Sequence, residues 1–104
     1  MVEVHWTLGA RDDLAAIQAF IAKDSPGRAP RFAAEIADSV RRIAQFPRSG
    51  RRVPESDDES IREVIFQNYR VIYQIRGDVI GIVTVCHAAM DVARALEDRD
   101  EAPD

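Results

Sequence analysis

His87 directly follows Cys86, the one cysteine of the chain, at the end of an apolar run that opens at Val79. An imidazole at the exposed end of a strand can act as a general acid or base. It can equally bond a backbone group and close the sheet. A Cys–His nucleophile pair between these two is disfavoured, because neighbours on a strand point to opposite faces. Cys86 therefore reads as a small core hydrophobe. A second candidate is the stretch Pro47 to Pro54, where Arg48, Arg51 and Arg52 surround Gly50. Such a loop offers several donors to a phosphate or a carboxylate, or it is a solvated turn. Arg62 and Arg70 fall on neighbouring strand-like runs and would extend a basic surface across the sheet. Tyr69 and Tyr73 share side-chain parity with Val71 and Ile75, which makes Tyr73 a core residue. The sequence holds no CxxC pair, HExxH, P-loop or glycine fingerprint, and His5 and His87 are its only imidazoles. No metal and no cofactor is expected.

These side chains need elements to hold them. Val2 to Trp6 alternates apolar and polar, as a strand does. Thr7 is placed to cap a helix whose apolar positions are Ala10, Leu14, Ile17 and Ile21, with Phe20 beside them. Lys23 to Gly27 breaks that helix. Ser25 with Pro26 resembles an N-cap and first helical position, while Pro30 argues for a start nearer Ala29. The second helix carries Ala29, Phe32 or Ala33, Ile36, Val40 and Ile43 on one face, and ends near Phe46, ahead of Pro47. An irregular stretch runs to Ser60. Strands are predicted over Ile61–Phe66, Tyr69–Ile75 and Val79–Cys86, with hairpin turns at Gln67-Asn68 and Arg76-Gly77-Asp78. The unbroken apolar run Ile82 to Val85 belongs inside the sheet. Ala88 to about Asp98 is predicted to be a short last helix. The fold class is α+β: an opening strand, then a helical hairpin packed on a mostly antiparallel sheet of about four strands, and a short C-terminal helix.

The chain has 104 residues, enough for one core. With 46% hydrophobic and 31% charged residues its balance is that of an ordinary globular domain. The net charge of -4 is carried from Asp91 onward, where six acids meet two arginines. Residues 1–90 balance at 12 against 12, which argues against strong nucleic-acid binding by the chain alone. Nearly all the positive charge is arginine, with Lys23 the one lysine. One cysteine, no apolar run long enough for a bilayer and no leader-like N-terminus point to a reducing cytoplasm and no membrane. One domain is expected over 1–98, followed by an acidic tail, 99–104, that frays.

Taken in order, these pieces resemble the RelE/ParE superfamily of bacterial type II toxin–antitoxin toxins. The matching segments are the opening strand with Trp6, "ARDDLAAIQAFIA" with Ala10, Asp13, Leu14 and Ile17, "FPRSGRRVP" (46–54), "IRE" (61–63), "YRVIY" (69–73) and "VCHAAMD" (85–91). The resemblance spans roughly residues 2–96 and rests on order and spacing, not on any single piece. It implies a small cytoplasmic toxin neutralised by a cognate antitoxin, ParD-like or similar, encoded beside it. RelE-like members cut mRNA on the ribosome with clustered Lys and Arg and often a C-terminal tyrosine. ParE-like members lack most of that set and poison DNA gyrase. Here the one lysine is between the helices and no tyrosine follows His87, which leaves Arg62, Arg70 and His87 as the catalytic candidates. The closing His87-Ala88-Ala89-Met90-Asp91 is similar to the ParE branch. The resemblance thus favours a gyrase inhibitor over a ribosome-dependent endoribonuclease, with a non-toxic antitoxin-binding module as a third reading. The residues expected to meet target or antitoxin are Arg48, Arg51, Arg52, Arg62, Arg70 and Tyr69.

Overall fold

The computed structural model describes residues 2–93 and Leu96. Five strands form one sheet in the order β1-β5-β4-β3-β2. The strands are β1 (Glu3–Trp6), β2 (Arg51–Arg52), β3 (Ile61–Phe66), β4 (Tyr69–Arg76) and β5 (Val79–His87). Helices α1 (Leu8–Asp24) and α2 (Arg28–Gln45) connect β1 to the rest. β1 runs parallel to β5, and every other pairing is antiparallel. The expected α+β architecture is the observed one. The strand beyond the expected four is β2, two exposed arginines too short to show any alternation.

Local chemistry explains the boundaries. Thr7 caps α1: its Oγ1 accepts from the Ala10 N–H at 3.1 Å and donates to the Ile82 carbonyl at 3.0 Å. That second bond ties the helix start to the middle of β5. Ser25 does not cap α2. Its N–H instead donates to the Ile21 carbonyl and closes α1, and α2 begins at Arg28 with Gly27 as its cap residue. Pro30 then lies in the first turn of α2, where a missing N–H costs nothing because that donor has no helical partner. Phe46, pushed out of helical geometry ahead of Pro47, ends α2 at φ -133° and ψ 76°.

The two hairpin loops contain two residues each, and the positive φ falls on Gln67 (54°) and Gly77 (60°). A positive φ at the first loop position alone is the mark of a type II′ turn. Asn68, the residue of the first turn whose type tolerates a positive φ best, is not left-handed. The interior place of β5 is as expected, with a bulge at Val83 where the register against β4 slips by one residue.

One core joins the helices to the sheet: Phe32, Ile36, Val40 and Ile43 of α2 pack with Val71, Tyr73, Ile80, Ile82 and Val85. On α1 only Ala10 and Ile21 are fully buried, and Phe20 is exposed. A smaller cluster covers the other face of the sheet and consists of Val53, Ile61, Ile72, Cys86, Val92 and Leu96. The predicted last helix does not begin at Ala88: residues 88–92 pass through a turn and a bend held by His87 and Glu55, helical backbone is seen at Ala93 and Leu96, and residues 94, 95, 97 and 98, like the acidic tail, lie outside the described residues. Among the described residues no helix is long and apolar enough to cross a membrane.

Candidate functional site

The arginine loop is anchored, not free. Residues Pro47–Ser49 form a single 3-10 turn after α2, and Arg51–Arg52 then pair with β3. The Tyr73 hydroxyl holds the turn from below. It accepts from the Gly50 N–H at 3.0 Å and donates to the Pro47 carbonyl at 2.6 Å. Burial raises the Tyr73 pKa, which keeps that proton available to donate. Arg62 adds a third tie, donating from Nη1 to the Gly50 carbonyl at 2.9 Å. Gly50 is required here, since a Cβ on it would lie 2.5 Å from the Tyr73 hydroxyl and 2.6 Å from the Glu63 carbonyl oxygen.

The three loop arginines are exposed, yet they differ in what they are committed to. Arg51 Nε donates to Glu63 Oε2 at 2.6 Å. Arg52 lies 3.9 Å from a Glu59 oxygen and donates to the Asp57 carbonyl at 3.4 Å. Arg48 has no carboxylate partner among the described residues.

Arg70 departs most from the sequence reading. It does not extend an exposed basic surface, because its side chain is only 5% exposed. Strand alternation puts it on the sheet face away from the helices, between two carboxylates. Its Nε donates to Glu63 Oε1 at 2.6 Å. Its Nη1 and Nη2 clamp both oxygens of Glu55 at 2.7 Å, and Nη1 also reaches the Met90 carbonyl at 2.9 Å. Hydrogen bonding from Arg70, opposed by burial, holds Glu55 down from its ordinary 4.5 to about 2. The same bonds raise Arg70 above the usual guanidinium range. Glu55 also accepts from the Val92 N–H at 3.4 Å. One arginine thus fastens the 53–60 loop, β3 and the segment after β5 to each other.

Tyr69 and His87 sit opposite one another on β4 and β5, at the far end of the sheet. Their rings meet edge-on at 6.0 Å, and Tyr69 packs edge-on against Phe32 at 5.1 Å. His87 is exposed, but its Nδ1 accepts the Ala89 N–H at 3.1 Å and so orders the turn that leaves the strand. Cys86 is buried on the opposite face, and desolvation pushes its thiol up to about 11. It is protonated at neutral pH and makes a poor nucleophile.

The three catalytic candidates do not converge. Arg62 pairs across from Tyr73 and His87 across from Tyr69, four residues along β4, which is about 13 Å of strand. Arg70 lies between them in sequence, but on the opposite face. Sequence reasoning missed the residues that decide this: Glu55, Glu63 and the hydroxyl of Tyr73. Glu63 left a trace, because it is a charged residue at the inward parity of Ile61. Glu55 is one of several acids in a loop, and nothing in its spacing marks it.

Two shallow apolar hollows open on the surface. One, of about 390 Å³, lies between the outer edge of β1 (Val2, Val4, Trp6) and Ala37, Val40, Arg41 and Ala44 of α2. The other, of about 260 Å³, lies between the end of α2 and β3, where Ser39, Arg42, Ile43, Phe46 and Ser49 face Val64, Ile65 and Phe66.

A family model described as ParE toxin of the type II toxin-antitoxin system, parDE, matches residues 4–92. The Y4kP protein of Sinorhizobium fredii is 39% identical over 87 residues, which cover 82% of this chain and 86% of that one. Toxin RelE2 of Caulobacter vibrioides is 32% identical over 90 residues, 86% of this chain and 98% of the relative. Among solved structures, the chromosomal ParDE toxin–antitoxin system from P. aeruginosa superposes with a TM-score of 0.71 at 22% identity, covering 84% of this chain and 96% of that one. The toxin–antitoxin complex RelBE2 from Mycobacterium tuberculosis gives 0.57 at 22% identity, with 83% and 96% covered. At that identity the two structures establish a shared fold.

Proposed function

This chain belongs to the ParE toxin family of type II toxin–antitoxin systems, and we propose that it arrests growth by inhibiting DNA gyrase, without chemistry of its own, until a cognate antitoxin binds it. The observation that carries the proposal is the dispersal of Arg62, Arg70 and His87. An RNA-cutting site must gather cations around one phosphate to stabilise the charge that develops there. Here Arg62 is bonded to the Gly50 carbonyl, Arg70 is enclosed by Glu55 and Glu63, and His87 is about four strand residues from Arg62. The candidate arginines that stay exposed, Arg48, Arg51 and Arg52, form a contact surface on an anchored loop and not a pocket. A rigid, donor-rich loop suits recognition of an acidic protein surface. The antitoxin partner is supported by the neighbouring folds, which were solved as toxin–antitoxin systems. Toxin, antitoxin and gyrase would then meet in the cytoplasm.

The test is induction of this chain, without its neighbouring gene, in bacteria carrying a DNA-damage reporter. Gyrase poisoning leaves broken DNA, so the reporter should switch on as growth stops. His87→Ala should do the same. Growth arrest with a silent reporter and transcripts cut between codons would replace this proposal with a ribosome-dependent nuclease. Harmless expression of a folded chain that still binds its antitoxin would reduce it to a binding module.

A further inference from the structure

We infer that the outer face of α1 packs on the same face of a second copy of this chain, with the two helices antiparallel about a two-fold axis level with Ile17 and Gln18. The inference goes beyond the proposed function and holds for either target.

The first observation is an apolar face on the outside of the molecule. Between Asp13 and Lys23 the chain has nine uncharged residues, Leu14 to Ala22. Leu14, Ile17 and Ile21 turn towards the core. Ala15, Ala16, Ala19 and Phe20 are exposed on the opposite side, and so is Leu8 at the start of the helix. Leu8 and Phe20 are 53% and 64% exposed, two of the five exposed large hydrophobics among the described residues. The outer side of α2, by contrast, carries Arg31, Asp38, Arg41 and Arg42 and is solvated in the ordinary way. A helix that is apolar on both sides calls for cover on both.

The second observation is charge. The face is bounded by Arg11 and Asp12 at one end and by Lys23 and Asp24 at the other. All four are exposed, and none is in an ion pair among the described residues. Two antiparallel copies with Asp12 opposite Lys23 also have Arg11 opposite Asp24, and symmetry makes each pair twice. Parallel copies would set like charge against like. Neighbouring charges act in the same direction. Asp13 accepts from the Thr84 hydroxyl at 2.5 Å and the Val85 N–H at 3.4 Å, and its charge makes the start of α1 net negative. Arg28 and Arg31, exposed at the start of α2, make the other end net positive.

The third observation is that the same register fits the side chains between the charges. Asp12 and Lys23 are about 16 Å apart along the helix axis. With these two opposed across the axis, Ala16 falls opposite Ala19 of the second copy and Ala15 opposite its Phe20. The alanines admit a helix at the near end of the usual spacing of about 8–10 Å, and Phe20 spreads over the methyl group of Ala15. Leu8 falls opposite Gly27, where the space around the backbone is open. One alignment satisfies both the ionic ends and the apolar middle, which is the property of a face that recognises itself.

The experiment is sedimentation equilibrium of the full chain, freed from its antitoxin with denaturant and refolded. A monomer–dimer equilibrium is expected at micromolar concentrations. Phe20→Ala, at an exposed site that should leave the far-UV spectrum unchanged, should raise the dimer Kd at least about fivefold. Asp12→Lys alone, or Lys23→Asp alone, should do the same, since each sets like charges opposite one another at two places. The two together in one chain rebuild both pairs and should bring Kd back to within about twofold of the native value. A chain that is monomeric at every concentration would overturn the inference, and so would a dimer for which the double exchange is no better than the single ones. A cognate antitoxin that binds Phe20→Ala about tenfold more weakly than the native chain would assign the face to that partner and also overturn it.

Discussion

Replacing Arg70 with methionine should destabilise the fold far more than loss of a surface arginine does. Arg70 makes three hydrogen bonds to carboxylates and one to the Met90 carbonyl. Its partner Glu63 has a side chain that is 0% exposed and would keep only Arg51 as a counter-charge. Breaking a buried ion pair by removing one partner costs about 3–5 kcal/mol, because the other charge stays behind without compensation. Glu55, with 21% of its side chain exposed, can recover water and adds less. At roughly 5 °C per kcal/mol for a domain of this length, Tm should fall by about 15–25 °C. Urea unfolding followed by far-UV circular dichroism should show a lower midpoint at an unchanged slope. Arg70→Met together with Glu63→Met removes both charges and should regain about 2 kcal/mol or more of the loss. A single-variant cost under about 1 kcal/mol, the value of an exposed pair, would refute the reasoning. So would a double variant whose cost is the sum of the two single ones.

Three further outcomes follow from neighbouring groups. Glu55 is held at about 2 in the folded chain against an ordinary 4.5; its contribution is therefore fully present above 4.5 and is lost as pH falls from there towards 2. Acid titration of stability should show that loss in the native chain, and Glu55→Gln should flatten it; equal acid sensitivity in both would remove Glu55 from the account. Gly50→Ala should cost about 1–3 kcal/mol through overpacking against Tyr73, and less in a Tyr73→Phe background, where the clashing oxygen is gone; strictly additive costs measured in urea would contradict the contact. Cys86, protonated and buried, should react slowly with a thiol reagent at pH 8 in the folded chain and rapidly in denaturant, and equal rates would place the thiol at the surface.

Much of the fold is written in local periodicity. The buried face of α2, the three long strands, both hairpin loops and the cap at Thr7 each follow from the spacing of apolar and turn-forming residues. Elements whose cause is not local were harder to read. β2 exists because Tyr73 and Arg62 hold Gly50 against the sheet, and two arginines carry no strand pattern of their own. The start of α2 depended on whether Pro30 would be tolerated inside the first turn, which the helix's orphan donors decide.

The candidate site divides along the same line. All of its arginines look alike in sequence, since each is a long cation beside apolar or turn residues. Their roles were set by acids elsewhere in the chain. Glu63 takes Arg51 and Arg70, Glu55 takes Arg70, and the Gly50 carbonyl takes Arg62. Those bonds turn three apparent site residues into the framework that fixes the loop and covers the back of the sheet. Arg42 and Arg48 have no carboxylate partner among the described residues. Arg48 stood among the residues expected to bind a partner, and Arg42 did not, because on a helix face it reads as one more solvated cation. The distinction follows from pairing, and pairing across 7 or 15 residues of sequence is set by strand register and loop path. A buried arginine between two glutamates costs too much desolvation to be freed for a partner. An exposed arginine without a carboxylate partner, such as Arg48, costs far less to engage, so a contact with a partner is better tested there than at Arg70.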